Sequence, residues 1–396
     1  MSTRSWRLLG AALAGLLTAG LCAGAPAAAG SLSGCASSVP FTAGTDGYFA
    51  YRIPAVVRSG AGTVLAFAEG RRDSSSDTGK IDTVLRRSFD GGCTWGPLIV
   101  AATNGTTGTA GNPVPVVLPT GRILLLTTHN AGYATEQEIL TGAVPAQDSR
   151  RVFVQHSDDN GRTWSAAVDV TDQTKQANWR WYATGPGHAI VLHGGPHNGR
   201  IIVAADHSSA PPAGSTDTGA EGKYYGNNDI YSDDGGHSWH IGYTDDRADG
   251  YIEANENTVA QLPDGTVYFN SRDAGTAPGT RVDGYSTDGG ASLVAPLQPQ
   301  TTIAGPVVEG STLQTTDPRE LLYAGPSSPT TRAVMQLRAS ADDGHTWQPV
   351  DTISQALAGY SDLVQVNGST VGLLYETGTV TSYDTVTFQR IPADQR

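Results

Sequence analysis

Ser157-Asp158-Asp159-Asn160-Gly161-Arg162-Thr163-Trp164 is a stretch that the chain repeats. Its pattern, Ser-x-Asp-x-Gly-x-Thr-Trp, returns from Ser88 to Trp95, from Ser232 to Trp239 with Ser238 in place of Thr, and from Ser340 to Trp347. A degenerate copy from Ser286 to Leu293 keeps Asp288 and Gly290 but has lost the Trp. Short β-rich runs flank each copy, such as Asp82-Thr83-Val84-Leu85-Arg86 before and Pro97-Leu98-Ile99-Val100 after. The box therefore predicts a hairpin turn, with Asp and Gly supplying the turn geometry and the Trp packing beneath it.

Working outward, a second hairpin precedes each box: Ile53 to Val57 with Thr63 to Ala68, Val114 to Leu118 with Arg122 to Thr127, and Ala189 to Leu192 with Arg200 to Ala205. It continues as Thr258 to Leu262 with Thr266 to Asn270, Val307 to Leu313 with Glu320 to Ala324, and Leu363 to Val366 with Thr370 to Tyr375. Six such units, each of four strands, predict an all-β six-bladed β-propeller with four antiparallel strands per blade. A β-sandwich with a partner domain does not explain the even sixfold spacing. The sixth unit lacks a box and a fourth strand, so the segment near Val39 to Thr42 is expected to supply that strand and tie the chain ends together.

Composition agrees with a turn-rich β protein: of 396 residues, 49 are Gly, 22 are Pro and only 16% are charged. Residues 1–29 carry Arg4 and Arg7, an apolar run from Leu8 to about Leu21 and Ala27-Ala28-Ala29, the layout of a cleaved secretory signal. That run is shorter than the roughly 20 residues a membrane-spanning helix needs. Residues 30–396 are expected to form one secreted, monomeric propeller domain. Cys35 and Cys93 then lie in an oxidising compartment where a disulfide would pin the N-terminal segment to the first box. The net charge of -13 argues against nucleic acid or an anionic membrane as partner. Only three lysines occur, so positive charge is almost all arginine, the residue suited to bidentate recognition of carboxylates.

In a propeller the first strands of the blades surround one central cavity. Arg52, Asn112, His188, Glu256 and Tyr360 stand at the starts of the expected first strands, and Arg71, His129, His207, Arg272 and Glu376 near the ends of the second. Polar and charged side chains thus collect at one rim.

Tyr51-Arg52-Ile53-Pro54, the boxes and this rim set together resemble the bacterial sialidases, the exo-α-sialidases or neuraminidases, from about Val39 to Ile391. The resemblance implies hydrolysis of terminal α-linked sialic acid from glycoproteins, glycolipids or oligosaccharides, with no metal or cofactor. It places an arginine triad for the substrate carboxylate on Arg52, Arg272 and Arg332, with Arg338 as a neighbour competing for the last role. It places the nucleophile on Tyr360 and its base on Glu256, with Glu253 as the competitor. A neutral phenol suits this substrate because its anomeric carbon bears a carboxylate that would repel an anionic nucleophile. Asp77, flanked by Asp73 and Asp82, matches the acid/base; Glu376 matches the residue that holds the first arginine; Arg71 is either a further substrate contact or an ion-pair partner of Glu69 or Asp73.

In Gly111-Asn112-Pro113 the chain departs from relatives that carry Asp before Pro, which leaves the preference among acyl substituents open. Linkage preference is not legible. Transfer of the sialyl group to another sugar or to the substrate's own hydroxyl is the alternative chemistry, and a non-catalytic glycan-binding propeller the alternative class. His193 and His197 stand four apart but in a Gly/Pro turn, not on a helix, so no zinc site is expected.

Overall fold

The computed structural model describes residues 35–316 and 319–396; the expected signal over residues 1–29 lies outside them. Strands dominate, and the only α-helices among the described residues are Glu136–Leu140 and Thr171–Thr174. Strand pairing is antiparallel apart from a single parallel bridge, Ile81 with Thr109, and forms four sheets of seven, five, four and eight strands. Divided at that bridge and along the long strand Gln348–Asn367, these make six groups.

The first group is Ala50–Arg58, Val64–Arg71, Ile81–Ser88 and Ile99–Ala102. The second is Thr109–Val117, Ile123–Asn130, Arg151–Ser157 and Val168–Asp169. The third is Trp179–Thr184 with Ile190–Val191, then Ile201–Ser209, Tyr225–Ser232 and His240–Asp246. The fourth is Ala254–Gln261, Val267–Asp273, Arg281–Ser286 and Gln298–Pro299. The fifth is Ser311–Gln314, Leu321–Pro326, Ala333–Ser340 and the first part of the long strand Gln348–Asn367. The sixth takes the rest of that strand, then Thr370–Gly378, Thr385–Pro392 and, as expected, the N-terminal strand Ser37–Thr42, which pairs with Thr385–Pro392.

The third unit departs from expectation. Its first strand begins at Trp179, not at Ala189, because Gly185-Pro186-Gly187 interrupts it. Pro186 has no N–H to donate, and both glycines take positive φ, 53° and 103°. His188 lies beyond the break.

Each box joins the third and fourth strands of its group. In the first group Val64 pairs with Ser88 and Arg71 with Ile81, so the box and Arg71 lie at opposite ends of the second strand. Within the box, Asp159 accepts from Thr163 N at 2.8 Å, Thr163 Oγ1 at 2.6 Å and Ser157 Oγ at 2.9 Å. The Trp packs sideways as well as beneath its own turn: Trp95 meets Phe388 of the sixth group and Trp164 meets Phe67 of the first, both edge-on. Gly92 abuts the Phe388 ring and Gly161 abuts Leu65, so closely that a Cβ would not fit. The box is thus a seam to the preceding group. Cys35 and Cys93 are joined, with Cα atoms 5.7 Å apart, which fastens the N-terminal strand to the first box.

The first strands adjoin one another in chain order. Asn112 N donates to Glu69, Thr184 Oγ1 to Asn112 O, Asn257 N to Gly185 O and Thr312 N to Thr258 Oγ1. Val56 N donates to Asp362 Oδ2 at 2.7 Å, which brings the sixth group back to the first.

Candidate active site

At the end of the first strands away from the boxes, the antiparallel register slips in five groups, between Arg52 and Ala55, Gly111 and Val114, Trp179 and Tyr182, Ala254 and Asn257, and Ala358 and Ser361. Such bulges re-aim side chains. Here they free Arg52, Asn112, Glu256 and Tyr360 from strict alternation, and all four line one cavity of about 310 Å³. Ile53 takes φ 56° and Asn112 φ 49°, and each precedes a proline. A β-branched residue at positive φ is strained; the Ile53 N–H is held there by Glu376 Oε1 at 2.9 Å.

The centre of the cavity is a hydrogen-bonded pair. Tyr360 Oη donates to Glu256 Oε1 at 2.5 Å, while Arg272 Nη1 donates to Glu256 Oε2 at 2.9 Å and approaches Tyr360 Oη at 3.4 Å. Arg52 and Arg332 lie 5.1 and 5.4 Å from the Tyr360 ring centre. Burial and then the Glu256 carboxylate push the Tyr360 phenol well above its ordinary range, against the opposing pull of Arg272, Arg52 and Arg332. The phenol is therefore neutral in the free site, with its proton already directed at a carboxylate.

Three arginines keep unspent donors. Arg52 Nη2 and Arg272 Nε are buried without a hydrogen-bond partner, and Arg332 forms no ion pair with any described residue. Arg338 is buried elsewhere and donates to Thr302 O and Ala304 O, so Arg332 is the one of the two that reaches the cavity. Glu376 is fully buried behind the cavity wall, accepting from Arg52 Nε at 3.1 Å. Gly359 is required beside it, since a Cβ there would collide with the Glu376 carboxylate.

Asp77 projects from its loop with a largely exposed carboxylate, 2.7 Å from Arg71 Nη2 and 3.4 Å from Arg52 Nη1. Partial burial would raise its pKa, but Arg71 and Arg52 outweigh that and hold it below the usual carboxylate range. Asp73 and Asp82 do not line the cavity; Asp82 is engaged by Lys80 at 2.6 Å. Arg71 pairs with Glu69 at 2.6 Å and also lines the cavity. Glu253 lines the cavity too, but only Glu256 bonds the tyrosine.

Three rim histidines do not join the site. His188 faces Asp362 at 2.7 Å, His129 bonds Thr127 and stacks on Phe153, and His207 stacks on Trp179 and bonds Asn228 and Asp246. Strand counting placed them at the rim; His188 lies beyond the Gly185-Pro186-Gly187 break, and His129 and His207 are taken up by partners within their own groups. Conversely, Arg150, Trp181, Tyr225, Glu136 and Tyr383 line the cavity and were not foreseen. They come from connecting segments and third-group strands that the repeat pattern does not mark. Among the described residues no three metal-ligating side chains stand together.

With this geometry in view, residues 62–373 match the family described as BNR repeat-like domain. The chain is 31% identical over 357 residues to a sialidase of Micromonospora viridifaciens, covering 86% of this chain and 52% of that one. It is 30% identical over 359 residues to an exo-alpha-sialidase of Aspergillus fumigatus, covering 83% of this chain and 79% of that one. Among solved structures, Hadza microbial sialidase Hz136 superposes with a TM-score of 0.76 at 26% identity, over 90% of this chain and 68% of that one. The chain therefore belongs to the bacterial sialidase family with BNR repeats. It spans about half the length of the Micromonospora protein.

Proposed function

We propose that the chain is a secreted exo-α-sialidase, a monomeric six-bladed propeller that releases terminal α-linked sialic acid from glycoproteins, glycolipids or oligosaccharides with retention of configuration. The observation that carries this reading is the 2.5 Å Tyr360–Glu256 bond set among three arginines with free donors. Retaining glycosidases ordinarily pair two carboxylates, and sialidases are a known exception with a tyrosine nucleophile. The propeller is supported by the six groups into which the four sheets divide at the Ile81–Thr109 bridge and along Gln348–Asn367. Secretion is supported by the pattern of residues 1–29 and by the Cys35–Cys93 bond.

In this mechanism Arg52, Arg272 and Arg332 take the substrate carboxylate, which fixes the anomeric carbon over Tyr360. Tyr360 Oη attacks as its proton passes to Glu256, and Asp77 protonates the departing glycosidic oxygen. The product of this step is a sialyl-tyrosine. Asp77 then takes a proton from water as the water oxygen attacks the anomeric carbon; the bond to Tyr360 Oη breaks and Glu256 returns the proton to the phenol. An ionised Asp77 in the free site is no obstacle. The arriving carboxylate adds negative charge beside it and claims part of Arg52, both of which raise its pKa.

The test is incubation of the purified protein with sialyllactose followed by proton NMR. The expected result is free sialic acid appearing first as the α-anomer, with Tyr360→Phe losing most turnover. Sialylated acceptor or anhydro sugar in place of free sialic acid would replace hydrolysis by transfer. Wild-type turnover in Tyr360→Phe would reject the mechanism.

A further inference from the structure

A second cavity, of about 470 Å³, lies between the third, fourth and fifth groups at the other end of their first strands. Leu262 and Leu313 stand on its wall, and the register puts both at the box end. Gln261 pairs with Val267 and Val267 with Ser286, while Gln314 pairs with Leu321 and Leu321 with Ser340. Cavities of about 300–1,000 Å³ with apolar walls and a few placed polar groups are the form that small-molecule sites take. Val191, Val259, Leu262, Pro263 and Leu313 supply such walls here.

His188 is the placed polar group. Its side chain is 10% exposed, and only Nδ1 has a protein partner, Asp362 Oδ1 at 2.7 Å. Asp362 also accepts from Val56 N, Ser311 Oγ and Leu363 N, so it acts as acceptor throughout and Nδ1 carries a proton. Burial opposes a charged ring, but Asp362 outweighs it and raises the His188 pKa, which makes the ring an imidazolium near pH 6. The second proton sits on Nε2, which has no acceptor among the described residues, and the ring lines the cavity. A nearly buried N–H without an acceptor is costly, and a ligand in the cavity can supply one.

The rest of the lining sets the sign and character of that ligand. In a chain of net charge -13, this cavity is lined by His188, His193 and Arg319 and by no carboxylate. Arg319 is exposed at the rim and forms no ion pair with any described residue. An anionic acceptor therefore suits His188 better than a neutral one. A phosphate or a sugar would press its remaining oxygens against Leu262 and Leu313, which offer no donors. Hydrocarbon beyond the acceptor fits the same walls and gains from leaving water. We infer that this cavity binds a short aliphatic carboxylate, with the head group on His188 Nε2 and the chain along Leu262 and Leu313.

The experiment is calorimetric titration of the purified full chain at pH 6 with hexanoate and, separately, with hexanol. Hexanoate is expected to bind about tenfold or more tightly than hexanol. His188→Gln should weaken hexanoate by about tenfold, and Arg319→Glu, at an exposed position, should weaken it several-fold and serves where the buried change does not fold. Equal affinity for the two probes, no measurable binding of hexanoate, or unaltered affinity in the folded variants overturns the inference. Binding lost in Arg272→Ala but kept in both variants would place the carboxylate among the arginines around Tyr360 and overturns it equally.

Discussion

Glu376 Oε1 accepts at once from Arg52 Nε at 3.1 Å and from Ile53 N at 2.9 Å, while its Oε2 accepts from Tyr360 N at 3.2 Å. One buried carboxylate therefore fixes the backbone at two bulges and the plane of one substrate arginine. Glu376→Ala leaves the buried Arg52 Nε–H and two backbone N–H groups without an acceptor, a loss of about 3–5 kcal/mol. Displacing Tyr360 and Arg52 together should also lower kcat/KM by about 100-fold. Urea denaturation and sialoside hydrolysis on the same preparation check both figures.

In the proposed mechanism Arg71 sets the working pH through Asp77. A positive neighbour 2.7 Å away favours the ionised carboxylate, so its removal raises the Asp77 pKa. Asp77 must be protonated to assist the leaving group. The alkaline limb of the rate against pH should therefore move upward in Arg71→Ala, whatever happens to its height. Sialyllactose is the substrate to use, because its poor leaving group needs the proton. A limb that stays in place or moves down would remove Asp77 from the acid role.

His188 and Asp362 make the fold's own pH dependence. Burial opposes the charged imidazole, but Asp362 at 2.7 Å outweighs it and raises the His188 pKa above the ordinary 6.5. Its stabilisation is complete below the unfolded value and is lost as pH rises through the higher folded value. Asp362 also accepts from Val56 N and Ser311 Oγ, so the pair joins four of the six groups. His188→Gln should cost about 1–3 kcal/mol near pH 6 and clearly less near pH 9. A loss equal at both pH values would mean that the charge contributes nothing.

The boxes lie at the end of the sheets away from the cavity and are expected to act on stability alone. The Thr163 hydroxyl and the other donors of the turn hold the Asp159 carboxylate down at about 2. Its contribution is therefore present at neutral pH and disappears only as pH falls through that value. Asp159→Ala should lower the melting temperature by several degrees with kcat intact. A fall in kcat at an unchanged melting temperature would contradict this assignment.

The five boxes marked five of the six groups and the end of the sheets away from the cavity, because turn chemistry at fixed spacing is local; the sixth group carries no box and was found from its hairpin. Arg52, Glu256, Arg272 and Tyr360 were legible through residue type at those positions. The histidines were misplaced for a different reason: His188 lies beyond the Gly185-Pro186-Gly187 break, and His129 and His207 bond partners in their own groups, neither of which a local pattern records. Arg150, Trp181 and Tyr383 stayed hidden because they reach the cavity from segments outside the repeated hairpins. The side-to-side packing of Trp95 on Phe388 joins residues 293 apart in sequence, a distance no local pattern spans.

The central claim is that Tyr360 carries the sialyl group. A sialosyl fluoride with a second fluorine at C3 forms the glycosyl-enzyme but slows its breakdown, so the adduct can be located by mass spectrometry of peptides. The account predicts the added mass on the peptide containing Tyr360, and none in Tyr360→Phe. An adduct on Glu256, or full hydrolysis with no adduct on Tyr360, would contradict it.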